Sequence, residues 1–167
     1  MNKRHVLDLD SYSKTDIESL LKNTIEMKGL LQRDIKKTTS LNGKTVVNIF
    51  LEASTRTRVS FERAAKILSA DVINVSGSGS SIEKGESLYN TALTLQAMNA
   101  DIIIVRHPHA GAPYFLARHL DASVINAGDG SHAHPTQAML DLFTVFENFG
   151  KIENLKIVII GDILHSR

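Results

Sequence analysis

The chain has no cysteine and no tryptophan, contains only three prolines, and is 5% aromatic over 167 residues. Without cysteine there is no disulfide framework, no thiolate nucleophile and no cysteine zinc site, a composition that fits a reducing compartment. An excess of either charge is lacking too, since 19 Lys and Arg stand against 18 Asp and Glu, a formal net charge of +1. No broad basic field draws the chain to nucleic acid or to an anionic membrane, and any positive potential must be local. No apolar run approaches the ~20 residues that span a bilayer. The polar start Met1-Asn2-Lys3-Arg4-His5 leads into no apolar signal-peptide stretch. We therefore expect a cytoplasmic protein that binds neither membrane nor nucleic acid, long enough to bury about 70% of the surface its unfolded chain exposes.

Apolar, β-branched runs lie at 45–51, 71–75, 102–105 and 123–126. They alternate with helix-like spacing at 59–68, 87–98, 113–120 and 135–149, the signature of βαβ units around a parallel sheet. A long first helix is predicted from the capping residues Ser13-Lys14-Thr15-Asp16, followed at helical spacing by Ile17, Leu20, Leu21, Ile25 and Leu31. Gly150 is placed to stop the last helix, and residues 156–162 read as a further buried strand. The fold class expected is α/β, a doubly wound parallel sheet with helices on both faces. Residues 1–150 would form one domain and 151–167 the first strand of another. The stretch Ser76-Gly77-Ser78-Gly79-Ser80-Ser81 is the one low-complexity segment, expected to be a mobile loop.

Between the run at 45–51 and the helix pattern at 59–68 stand Ser54-Thr55-Arg56-Thr57-Arg58. A strand that ends at a helix start presents unpaired N–H groups and the positive end of the helix dipole. Short hydroxyls and a planar guanidinium at that point suit a phosphate. An ordinary N-cap with solvated arginines would explain these residues alone, but two more polar segments follow strand-like runs. Arg106-His107-Pro108 follows 101–105, and His134-Pro135-Thr136-Gln137 opens the helix at 135–149. In an open parallel sheet the carboxyl ends of the strands share one crevice, so these segments can converge on one ligand.

Four segments, F-L-E-A-S-T-R-T-R from Phe50, S-I-E-K-G-E from Ser81, V-R-H-P from Val105 and N-A-G-D-G-S-H-A-H-P-T-Q from Asn126, occur in an order and spacing that resembles the carbamoyl-phosphate half of the aspartate carbamoyltransferases. The resemblance runs from Phe50 to the last residue. It implies transfer of a carbamoyl group from carbamoyl phosphate to the amine of L-aspartate, with no cofactor and no metal. By the same resemblance Ser54, Thr55, Arg56 and Thr57 cradle the phosphate, and Arg106 bridges phosphate and carbonyl oxygen. Thr57 and His134 donate to that oxygen, Gln137 accepts from the carbamoyl amide, and Arg167 holds an aspartate carboxylate. Ser81 and Lys84 would reach the neighbouring subunit's site in a homotrimer, to which regulatory or pathway-enzyme partners could be added. By the same resemblance an aspartate-binding domain and a returning C-terminal helix complete the enzyme, and turnover is expected when that second domain is present.

Other readings compete. The ornithine carbamoyltransferases share the S-T-R-T-R segment, but the Arg106, Ser81–Glu86 and His132–Gln137 segments are more similar to the aspartate enzymes. A non-catalytic module that binds carbamoyl phosphate or oligomerises is a further alternative. His107-Pro108-His109 and His132-Ala133-His134 each place two imidazoles on one side of an extended segment, as some metal sites do. The strand-end positions around them hold Arg, Thr and Ser, which are poor metal ligands. His5, His119 and His165 belong to no such grouping.

Overall fold

A computed structural model describes residues 4–77 and 85–163. Its elements alternate in chain order: α1 (Lys14–Leu30), β1 (Thr45–Phe50), α2 (Thr55–Ile67), β2 (Asp71–Ser76), α3 (Leu88–Ala97), β3 (Ile102–His107), α4 (Ala112–His119), β4 (Ser123–Asp129) and α5 (Pro135–Phe149). The four strands pair in parallel in the order β2-β1-β3-β4. All four strands and five helices lie where the alternating patterns placed them. The largest shift is α2, which starts at Thr55 and so takes the S-T-R-T-R segment into its first turn.

Burial on both faces explains the near-continuous apolar strands. Side chains along a strand point alternately to opposite faces. Val47 and Ile49 of β1 pack with Ala92 and Leu95 of α3 and Leu116 of α4, whereas Val46 and Phe50 pack with Ala65 of α2 on the other side. β1, β3 and β4 are thus largely buried, with helices on both faces of the sheet as a doubly wound domain requires, while the edge strand β2 stays largely exposed. The helix ends carry their expected signals. Ser13 and Asp16 form a complete capping box at the start of α1, and Gly150, at φ 68°, closes α5 in the left-handed conformation.

One expectation fails at the surface. Residues 156–162 pair with no strand among the described residues, and Ile157, Val158, Ile159 and Ile160 are exposed, Ile160 to 92%. A β-strand is stabilised by cross-strand partners and a covered face, and neither lies beside this run. The helical spacing of α1 buries Leu21 and Leu30, while Ile25 and the C-cap residue Leu31 are exposed.

These differences in burial carry a stability forecast. Leu116→Ala, which empties a fully buried position, is expected to cost about 2–5 kcal/mol. Ile160→Ala should stay within about 0.5 kcal/mol. Urea unfolding followed by circular dichroism distinguishes the two; a cost for Ile160→Ala comparable to that of Leu116→Ala would show that the terminal run is packed.

Candidate functional site

The chain leaves β1 toward β2 on one side of the sheet and later enters β3 on the other, so the order reverses between β1 and β3. Crevices at such a reversal, outside the carboxyl ends of the strands, are where open α/β sheets bind ligands. Phe50 and Arg106 are register partners there, and the Leu51 amide bonds the Arg106 carbonyl. The segment Glu52–Ser54 and the Arg106 side chain therefore leave the sheet side by side.

Ser54 occupies the N-cap position of α2 with extended backbone, yet its side chain caps no amide. Its hydroxyl donates instead to Thr57 Oγ1 at 2.9 Å. The first turn, Thr55-Arg56-Thr57, contains no acidic side chain, so the positive end of the helix dipole is not offset locally. Thr55 and Arg56 are exposed, while Ser54 and Thr57 are half-buried. The start of α2 is thus not closed by its own cap, and a helix start left in this way can receive an anion.

Arg106 is held on two sides. Its Nη2 lies 2.8 Å from Glu52 Oε1 and its Nη1 donates to the Ala127 carbonyl at 3.2 Å, with the side chain only 12% exposed. Ala127 sits in an irregular stretch of β4. Val105 pairs with Asn126 and His107 with Asp129, so β4 spends three steps where β3 spends two. The guanidinium is fixed in orientation before any ligand arrives, and a carboxylate partly neutralises it. Sequence reasoning passed over Glu52. Its signal was available, since a carboxylate inside a cluster of anion-binding residues needs a cationic partner.

His134 is the N-cap residue of α5, with Nδ1 3.3 Å from the Thr136 hydroxyl. Gln137, in the first turn, donates its side-chain nitrogen to Asp141 at 3.0 Å, which commits the amide nitrogen and leaves the oxygen as the acceptor end. Arg56, Thr57, His134 and Gln137 line one cleft of about 260 Å³ between α2 and α5, with Phe61 and Leu140 as apolar wall. The structure thus gathers four of the expected residues in one cleft. Ser54 is bonded to one of them. Arg106 is not in the cleft wall, being drawn to Glu52 and the sheet. Ser81, Lys84 and Arg167 lie outside the described residues, as does most of the Ser/Gly segment.

Neither histidine pair forms a metal cage. The His107 and His109 rings meet edge to face with centroids 5.1 Å apart, and His107 Nδ1 accepts from the His109 amide. Among the described residues no group of three or more His, Cys, Asp or Glu is placed to hold a metal ion. His132 is not in the cleft wall, and its Nδ1 is 3.2 Å from both oxygens of the fully buried Asp129.

Burial holds the His107 imidazole below its ordinary value of 6.5, outweighing the contact with the His109 backbone that acts to raise it, and burial with the Arg4 charge lowers His5 likewise. Both rings favour the neutral form in the fold, so the unfolded chain takes up protons first as pH falls. Stability is therefore full above the unfolded-state value and declines below it, levelling off once pH passes under the folded-state values. The urea midpoint is expected to drop between about pH 7.5 and about pH 5.5, and His107→Gln to shrink that drop. A midpoint that rises on acidification would contradict this assignment.

Comparisons with known proteins place this geometry among relatives. Residues 4–147 match the family model for the carbamoyl-phosphate-binding domain of the aspartate and ornithine carbamoyltransferases. The aspartate carbamoyltransferase catalytic subunit of Roseiflexus castenholzii is 59% identical over 99% of the chain and 52% of its own length. That of Desulforudis audaxviator is 58% identical over the whole chain and 55% of its own length. Among solved structures, aspartate transcarbamoylase from Trypanosoma cruzi in complex with carbamoyl aspartate and phosphate superposes with a TM-score of 0.91 at 31% identity, over 98% of this chain and 50% of that one. The catalytic subunit of M. jannaschii aspartate transcarbamoylase gives 0.82 at 39% identity, over 89% of this chain and 48% of that one. The chain spans about half the length of the curated relatives it matches.

Proposed function

The chain belongs to the aspartate and ornithine carbamoyltransferases, through their carbamoyl-phosphate-binding domain, and from that premise we propose that it binds carbamoyl phosphate at the α2–α5 cleft. In a protein that carries the remaining half of the family's length it would supply the donor-substrate side of carbamoyl transfer to L-aspartate. The observation that carries the proposal is the uncapped first turn of α2, with Ser54, Thr57 and Arg56 beside His134 and Gln137. L-Aspartate rather than ornithine is favoured as acceptor by the names of the relatives at 58% and 59% identity.

The reaction needs no covalent enzyme intermediate. The aspartate amine attacks the carbonyl carbon, a tetrahedral oxyanion forms, the C–O bond to phosphate breaks, and the nitrogen sheds a proton. Rate comes from holding the reactants in line and from donors aimed at the charge that develops. The α2 amides with Ser54, Thr55, Arg56 and Thr57 take the phosphate oxygens. Arg106, released in part from Glu52, would bridge the leaving phosphate and the carbonyl oxygen, which Thr57 and His134 also approach. Gln137 would accept from the carbamoyl NH₂. Ser81 and Lys84 are assigned to the site of a neighbouring subunit in a homotrimer, and Arg167 to a carboxylate of aspartate. A cytoplasmic location and a role in making pyrimidine precursors go with this reading, and no metal or cofactor enters it.

Calorimetric titration with carbamoyl phosphate, run beside inorganic phosphate and Arg56→Ala, tests the proposal. Carbamoyl phosphate should bind more tightly than phosphate. Loss of a charge-assisted, forked hydrogen bond should weaken carbamoyl phosphate about tenfold to about a hundredfold in the variant. No binding by a folded chain, or equal binding by the variant, would overturn it.

A further inference from the structure

Asp129 is fully buried, yet it carries a carboxylate whose one ion-pair partner among the described residues is a half-exposed imidazole. A buried carboxylate is costly unless donors satisfy its oxygens, and here every contact is spent on one task. Oδ1 accepts from Asn126 Nδ2 at 2.9 Å and from the Ala133 amide at 3.1 Å, and Oδ2 accepts from the Gly111 amide at 2.8 Å. His132 Nδ1 stands 3.2 Å from both oxygens. These donors come from the end of β4, from the N-cap of α4, and from the loop that runs directly into His134.

The backbone closes the same loop. The Asp129 amide donates to the Ala133 carbonyl, and the His132 amide to the Asp129 carbonyl. Gly130 passes so close to the 108–110 segment that an added Cβ would lie 2.9 Å from the Pro108 carbonyl oxygen. Five residues are thereby folded around one carboxylate, and the residue that emerges next in the chain is the N-cap of α5. Asp8 and His132 line the same cavity, and the Tyr114 ring lies edge-on to His132 at 5.7 Å.

We propose that Asp129, with His132 as its outer partner, is the positioning residue that sets the direction of His134 and of the first turn of α5 over the anion site. The proposal rests on the carbamoyl-phosphate reading of that site. Asp129 touches no ligand; it acts by fixing where His134 leaves the loop. An amide cannot replace it, since Asn offers one acceptor oxygen and turns N–H groups toward the Gly111 or Ala133 N–H.

Two anions separate positioning from general damage. Inorganic phosphate reads the α2 cradle alone, whereas carbamoyl phosphate also reads the donor at His134. Asp129→Asn is expected to reduce the preference for carbamoyl phosphate over phosphate about tenfold, the worth of one misplaced hydrogen bond, while phosphate affinity itself stays within about twofold. His132→Ala, at a half-exposed side chain, should move the ratio the same way by about threefold. An unchanged ratio in folded Asp129→Asn, or a parallel loss of both affinities, overturns the proposal. If Asp129→Asn does not fold, an unchanged ratio in His132→Ala overturns it alone. Should the unsubstituted chain show no preference, the carbamoyl-phosphate reading fails separately. The His134 imidazole resonances and amide exchange of residues 133–137 in the ligand-free variants then decide positioning, and spectra identical to the unsubstituted chain's would sink it.

Discussion

Two adjacent parallel strands, β1 and β3, end at the same edge of the sheet while the chain departs from them to opposite sides. That topology creates a crevice which the sheet's own side chains do not fill. It also dictates what can stand there. A strand end that becomes a helix start delivers unpaired amides, and a neighbouring strand end can deliver a cation to the same edge of the sheet. Ser54–Thr57 and Arg106 are the two deliveries. The rest of the domain, with apolar side chains on both faces of the strands and helices packed over them, holds those two ends in fixed relation.

A guanidinium brought to such an edge and left 12% exposed needs an acceptor. Glu52 and the Ala127 carbonyl supply it, and the extra residue in β4 places that carbonyl. The same irregular stretch carries Asp129, so the mounting of Arg106 and the mounting of the His134 loop share one short piece of strand. Polar groups at the site are therefore organised before a ligand is present. This is the condition under which donors stabilise developing charge without having to reorganise.

Strands and helices were legible because their patterns are simple. Runs such as Val46-Val47 with Ile49-Phe50, and Ile103-Ile104-Val105, are apolar on both sides, and only a strand buried on both faces requires that. The Ser54–Thr57 and His134–Gln137 segments were legible for the same local reason, each sitting where a helix begins. What escaped was long-range pairing. The Glu52–Arg106 contact spans 54 positions and the hold of Asp129 on Gly111 spans 18, and neither leaves a periodic trace. The run at 156–162 shows the opposite failure. Its composition says strand, but pairing belongs to neighbours, and none of the described elements lies beside it.

Mapping amide chemical-shift changes as carbamoyl phosphate is added would locate the anion directly. If the carboxyl edge of β1 and β3 is the site, the largest changes fall on residues 54–57, Arg106 and 134–137. A competing basic groove exists on the outer face of α2, where Lys36, Lys37 and Arg63 line a cavity of about 400 Å³. Changes centred on that groove, with the 54–57 amides unmoved, would show that the anion follows surface charge rather than the uncapped helix start, and the site described above would be wrong.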